Sequence, residues 1–301
     1  MSASLFVMDV YAYYTGHTAG AARRYNRPPT RIGHYVKRLL SLLGLLFFIG
    51  TAVAQTFKPT PGMPGKDVVW IPTPNHAVEK MLDMAKVTAQ DFVIDLGSGD
   101  GRNLIAAAKR GARAHGVEYN PDLVEYSRRA AAQAGVADKV TIVQGDMFAA
   151  DISQATVMML FLLPNHLNKL APTFLKLRPG TRIVSNTYEI GGGWEPDVVE
   201  QAQPCLSWCS MVMYVVPARA AGSWRLGEDE WLWLEQRYQE LFGTYRIGGV
   251  DVAIENGRLL GEEIRFTVNQ VEYVGRVSGN SMSGSAKGRV SREWRATRTS
   301  E

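Results

Sequence analysis

The chain has 301 residues, 46% hydrophobic and 21% charged, a composition that can bury a core and excludes a disordered tail or a collagen-like fibre. Two cysteines cannot build a disulfide framework, and no Cys/His quartet has zinc spacing, so no metal is expected. The formal charge of +4 is unevenly spread: residues 1–55 hold six Lys/Arg against the single acid Asp9, and the rest carries a net of −1, which argues against a nucleic-acid partner.

In chain order, residues 1–55 read as a leader. Lys37 and Arg38 precede an apolar run over 39–54 that ends in Ala52-Val53-Ala54, the pattern of a secretory signal peptide. At 16 residues the run is short for a membrane span, which needs about 20, but it also suits an uncleaved anchor. The expected location is therefore membrane-anchored or exported, in a bacterial envelope, with membrane association. The positive-inside rule puts the Arg-rich end in the cytoplasm and the remainder outside. The alternatives are the cytoplasmic face of a membrane, or a mitochondrion reached by an Arg-rich, acid-poor transit peptide.

Residues 56–69 form a Pro/Gly linker. Over 70–220 helix and strand alternate: helix 76–86, strand 92–97, helix 102–110, strand 114–119, helix 121–134, strand 140–145, strand 156–163, helix 165–177 and strand 181–188. Such alternation predicts α/β architecture with a parallel, doubly wound sheet. Cys205 and Cys209, at strand spacing, share a face but lie too far apart to bridge within one strand, so buried free thiols are expected. Over 221–301 short alternating runs with glycine punctuation predict a small antiparallel β-meander of about six to eight strands, barrel- or sandwich-like. Trp231/Trp233 and Tyr238/Phe242 are expected in its core. The basic end of Lys287, Arg289, Arg292, Arg295 and Arg298 reads as a solvated strand face.

The stretch that carries chemistry is Val93-Ile94-Asp95-Leu96-Gly97-Ser98-Gly99-Asp100-Gly101. An apolar strand ends in an acid and a glycine-rich turn that opens a helix, where the backbone must turn sharply and approach a ligand without hindrance from a Cβ. Arg102 holds the place of a third Rossmann glycine, which speaks against a dinucleotide pyrophosphate. Asp95 is placed beside a cationic or amine-bearing ligand. Glu118, at the end of the next strand, has the spacing of an acid that accepts ribose hydroxyls. Asp146, after the third strand, suits an exocyclic amine, or else a helix N-cap.

On these residues the chain resembles the class I S-adenosylmethionine (SAM) dependent methyltransferases over roughly 70–197. Pro72-Thr73-Pro74, Val78, Met81-Leu82 and Asp95 to Arg102 are especially similar to bacterial relatives of the mitochondrial protein-lysine methyltransferases, which act on a membrane component of ATP synthase and on the adenine nucleotide carrier. The resemblance implies a Rossmann-like methyltransferase sheet with SAM as cofactor. It implies further that Asp95 and the turn of Gly97, Ser98, Gly99 and Gly101 line the methionine portion, with Thr73 near the carboxylate. Glu118 would hold the ribose, and Asp146 with Met147 the adenine.

Methyl transfer asks mainly for proximity, alignment and a deprotonated nucleophile. The loop Leu163-Pro164-Asn165-His166 follows the fourth strand at the sheet edge where substrate should dock. It departs from the Asn/Asp-Pro-Pro-Tyr motif of enzymes acting on bases and glutamine. Asn165 is assigned to orient an amine and His166 to take its proton. The expectation is N-methylation of protein lysine. The alternatives are a non-catalytic SAM-fold binding module in the envelope, and a small-molecule or lipid methyltransferase at the membrane.

Overall fold

The computed structural model describes residues 57–288 and 291–300. The leader over 1–55, with its apolar run 39–54, lies outside the described residues, as does Arg289. Among the described residues no helix is long and apolar enough to cross a membrane.

The first layer system begins with α1 (Asn75–Met84) and continues through β1 (Phe92–Leu96), α2 (Arg102–Lys109), β2 (Arg113–Glu118), α3 (Pro121–Gln133), β3 (Val140–Gln144), β4 (Val157–Leu160), α4 (Pro164–Phe174) and β5 (Arg182–Asn186). Two further strands follow, β6 (Val198–Gln201) and β7 (Ser210–Val215), and the sheet order is β3-β2-β1-β4-β5-β7-β6. The first five strands run parallel, β7 is antiparallel to β5, and β6 is antiparallel to β7. The order reverses between β1 and β4, so the C-terminal ends of the parallel strands open a crevice there.

Period-two alternation distributes the core. Val93, Val157 and Met159 face the side covered by α1 and α2, where Val78, Met81, Leu82, Leu104 and Ala107 are buried. Ile94, Leu96, Met158 and Leu160 face the other side, packed on Leu167, Leu170 and Phe174 of α4. Strands buried on both faces read as continuous apolar runs, which is why Val157–Leu160 carries no polar residue.

Between β5 and β6 the chain makes no helix. Residues 187–197 instead cross the α4 face of the sheet with Trp194 fully buried, edge-on to Tyr214 at 5.2 Å between ring centroids. Cys205 and Cys209 are joined in a disulfide rather than held as free thiols. The expectation fails because 202–209 is a loop, not one strand, and its turn brings the two Cα atoms to 5.6 Å, within bridging range.

The remainder is all β: β8 (Gly222–Arg225), β9 (Trp231–Arg237), β10 (Glu240–Ile247), β11 (Val250–Ala253), β12 (Glu255–Leu260), β13 (Glu263–Val268), β14 (Val271–Ser278), β15 (Ser281–Lys287) and β16 (Arg292–Ser300). Eight of these strands close into an antiparallel barrel through the β9–β10 and β8–β16 pairings, and β11 extends β10 as a side hairpin. The barrel is filled by its own side chains, as eight-stranded barrels commonly are. Phe266 stacks on Tyr273 at 4.8 Å, and Trp294 meets both rings edge-on.

Trp231 and Trp233 are not core, contrary to expectation. Leu232 and Leu234 point inward, and the tryptophans stack on each other outside, beneath Arg225 and Arg246. Phe242 is exposed, and Tyr238 packs flat on Trp194 rather than inside the barrel.

Candidate active site

The turn after β1 sets the site. Gly97, Gly99 and Gly101 all have positive φ, at +74°, +55° and +78°. A Cβ on Gly99 would lie 2.3 Å from Trp70 Nε1, and one on Gly101 would lie 2.9 Å from Ser127 Cβ on α3. Gly99 therefore lets a strap over 65–73 close on the turn, while Gly101 lets α2 and α3 approach. Arg102 ties the strap down: it is bidentate to Asp100 and donates through Nη1 to the carbonyl of Thr73 at 2.8 Å.

The acids line up along the C-terminal edge of the sheet. Asp95 is buried at the end of β1, accepting one hydrogen bond from Asn103 Nδ2 at 2.9 Å. Burial, with lesser repulsion from Glu118 and Asp100, pushes its pKa well above the usual carboxylate range, because no cation among the described residues compensates it. Glu118 accepts from the amides of Gly99 at 2.8 Å and Asn120 at 2.9 Å, so its two oxygens are fixed and keep lone pairs for a further donor. Asp146 accepts from the amide of Phe148 at 2.9 Å, which holds its carboxyl low, and pairs with Lys66 Nζ at 3.1 Å. Lys66 also sits over the Tyr119 ring.

These groups enclose an open cavity of about 1010 Å³, mouth included. Its walls include Thr73, Asp95, Gly97, Ser98, Gly99, Glu118, Asp146, Met147 and His166. Gly101 stands off the wall, and Asn165 is exposed and does not reach it. His166, one residue on, is buried against the edge of Phe148, and its Nδ1 has no hydrogen-bond partner among the described residues. The Ser98 hydroxyl is likewise buried and unpartnered.

Lys66, Trp70, Tyr119 and Phe161 also line the cavity, and sequence reasoning does not assign them. The apolar Val68-Val69-Trp70-Ile71 run inside a Pro/Gly segment is the available signal for the strap. Among the described residues no group of three or more His, Cys, Asp and Glu is placed to hold a metal ion.

The donor set fits SAM. A buried carboxylate without a counter-ion suits the amino group, a fixed acid at the end of β2 suits vicinal hydroxyls, and Asp146 with Met147 suits an adenine edge. Glycine at 99 leaves the turn open to the strap, and the orphaned Ser98 hydroxyl awaits a partner.

The chain is similar in sequence to known methyltransferases. A family model described as the ANTKMT methyltransferase domain matches residues 95–198. A protein-lysine N-methyltransferase of Saccharolobus islandicus (strain REY15A) is 41% identical over 152 residues, covering 50% of this chain and 94% of that protein. An adenine nucleotide translocase lysine N-methyltransferase of Mus musculus is 35% identical over 109 residues, covering 36% of this chain and only 47% of that protein. A solved RNA methyltransferase from Salinibacter ruber, in complex with S-adenosyl-L-homocysteine, is 44% identical with TM-score 0.47, covering 50% of this chain and 96% of that one.

Proposed function

The chain belongs to the SAM-dependent protein-lysine N-methyltransferase family, and from that premise we propose that it methylates the ε-amino group of lysine in a protein substrate. The observation that carries the reading is the cavity. Its acids stand along one sheet edge, and His166 at the start of α4 lines it as well.

SAM, when bound, supplies a methyl group on a sulfonium, which an amine can accept only with a free lone pair. The residues divide the remaining work. Asp95, Glu118 and Asp146 hold the two ends and the middle of the donor, and Thr73 and Trp70 close the strap over it. His166, which lines the cavity and whose buried Nδ1 has no partner among the described residues, is assigned to accept the proton that the acceptor nitrogen must lose. Asn165, exposed on the first turn of α4, has no part in the chemistry. Leu162 and Met147 keep the wall apolar around the reacting centre.

The test is incubation of the full chain with methyl-labelled SAM and a protein extract, followed by acid hydrolysis and amino-acid analysis. Label in methylated lysine is the expected result. Label confined to RNA, lipid or small molecules would overturn the lysine assignment. In the same assay His166→Ala should lower kcat on the order of a hundredfold while leaving SAM affinity within a factor of about two.

A further inference from the structure

Beyond the cofactor cavity lies a second feature that the chemistry above does not use. Phe161, the residue after β4, lines the cavity. Its surroundings are aromatic: Tyr188 stacks on it at 6.3 Å with an interplanar angle of 22°, and Trp208 lies against it at 6.2 Å, tilted by 58°. Tyr188 follows β5 and Trp208 precedes β7, and the two strand ends are locked together by the amide of Thr187 donating to the carbonyl of Ser210 at 2.6 Å.

The loop that carries Trp208 is built to project. The disulfide closes it at Cys205 and Cys209, Trp208 has φ +53°, and Leu206 at its tip is 101% exposed beside a Trp208 that is 41% exposed. Left-handed backbone at a tryptophan persists only where the surrounding structure enforces it, and such positions cluster at ligand clamps. A cross-linked loop that presents a leucine and a tryptophan to solvent has the make-up of a pre-organised contact site.

We propose that Phe161, Tyr188 and Trp208 form the docking edge for the acceptor lysine, with the Cys205–Cys209 disulfide holding Trp208 in place. The inference rests on the lysine reading above and extends it to the acceptor. The occupant follows from continuity and charge. The aromatic edge runs directly into the cavity through Phe161, so whatever lies along it presents its end to the donor site. A lysine brings an apolar stem for ring faces and a cation that those faces attract, and the exposed Glu189 beside Tyr188 adds a matching charge. Leu206 then meets an apolar side chain next to the target lysine in its own protein. Trp208 and Tyr188 are positioning residues here, and neither lines the donor cavity.

The experiment measures binding of a short poly-L-lysine peptide by calorimetry, with S-adenosylhomocysteine saturating, in the full-length chain. Trp208→Ala should weaken peptide binding roughly tenfold and Tyr188→Ala by a similar factor, with affinity for S-adenosylhomocysteine unchanged. Trp208→Phe should restore most of the loss, which a purely structural role for the indole would not predict. Reducing the disulfide should weaken wild-type binding by a comparable factor and leave Trp208→Ala no worse. If Trp208→Ala fails to fold, Trp208→Phe and disulfide reduction still decide the matter. Peptide affinity indifferent to Trp208→Ala, to Tyr188→Ala and to reduction, in a protein that does label lysine, would overturn the docking edge while sparing the function. Wild-type protein that neither binds the peptide nor labels lysine would fail the function itself.

Discussion

Asp95 is the residue whose physical state says most about the site. A carboxyl whose folded pKa lies above its unfolded value of about 3.9 favours the protonated form, so it subtracts stability as pH rises from the unfolded value toward the folded one. Above that range the ligand-free protein carries an uncompensated buried charge, which a cationic amine relieves on binding. Asp95→Asn should therefore raise the melting temperature of the ligand-free protein at pH 7.5 and weaken SAM at least about tenfold. Scanning calorimetry and titration calorimetry read the two halves separately, and a variant that melts lower would show that Asp95 is structural. The same linkage makes SAM binding tighten, with proton release, as pH rises through the Asp95 range. Much of this wall is legible in sequence, because strand, acid, glycine turn and helix fix where Asp95, Gly97, Gly99 and Glu118 fall. Asn165 is misplaced by sequence reading although the signal is present: Leu170 and Phe174 are buried at four-residue spacing from His166, which puts the histidine, not the asparagine, on the inward face of α4.

At the scale of elements, β1 and β5 are anchored from below by a half-buried ion pair. Asp91 pairs with Arg182 and accepts from the Thr88 amide at 2.8 Å and the Thr156 hydroxyl at 2.7 Å, while Arg182 also donates to the carbonyl of Ala85 at the end of α1. Burial alone would raise the Asp91 carboxyl, but these donors and the guanidinium hold it below its ordinary value. A depressed folded pKa contributes stability that is fully present above the unfolded value and is lost as pH falls through the folded one. Asp91→Asn should cost about 1–2 kcal/mol at pH 7, since it leaves the part-exposed Arg182 without its counter-charge, and the gap should shrink toward pH 3. Urea titrations of both proteins at the two pH values measure it, and a gap that stays constant would remove the ionic account. Of the elements that sequence reading misses, β7 does carry a signal, the continuous apolar run from Met211 to Val216, whereas β6 and the disulfide loop hold no run long enough to register. In β9 the run Trp-Leu-Trp-Leu is apolar at both parities, so alternation alone does not say which pair faces inward. Pairing register decides it, because Leu232 lies opposite the inward Trp224 and Tyr245 on its two neighbouring strands.

At the scale of the whole molecule, the barrel and the methyltransferase sheet are joined by contacts of the kind found inside a single core. Trp194 is fully buried between Tyr214 of β7 and Tyr238 of the β9–β10 turn, stacked on the latter at 5.7 Å with the rings parallel to within 1°. Around it Gln239 donates to the carbonyl of Glu195 at 2.7 Å, Tyr238 to the carbonyl of Gly192 at 3.0 Å, and the amide of Ala218 to the carbonyl of Gly261 at 2.8 Å. Asp197 receives Arg258 from β12 at 2.9 Å and the Val215 amide from β7 at 2.8 Å, so a single carboxylate spans both halves. Burial in the same joint pushes the Tyr214 hydroxyl up to about 12, although it accepts the Ile190 amide. A joint of this density couples the two halves, and wild-type protein should unfold in one calorimetric transition. Trp194→Ala removes the ring that both tyrosines contact and should cost about 3–5 kcal/mol, the range for truncating a buried aromatic. The loss falls on the joint and on the sheet core that Trp194 shares, so the single transition should split into two, with the barrel and the sheet melting separately. The Cys205–Cys209 loop and Tyr188 lie on the sheet side of this joint, so lysine-peptide affinity should persist at temperatures between the two transitions if the sheet is the more stable half. A Trp194→Ala protein that still melts in one step would show that Asp197 and the backbone hydrogen bonds suffice to hold the halves together.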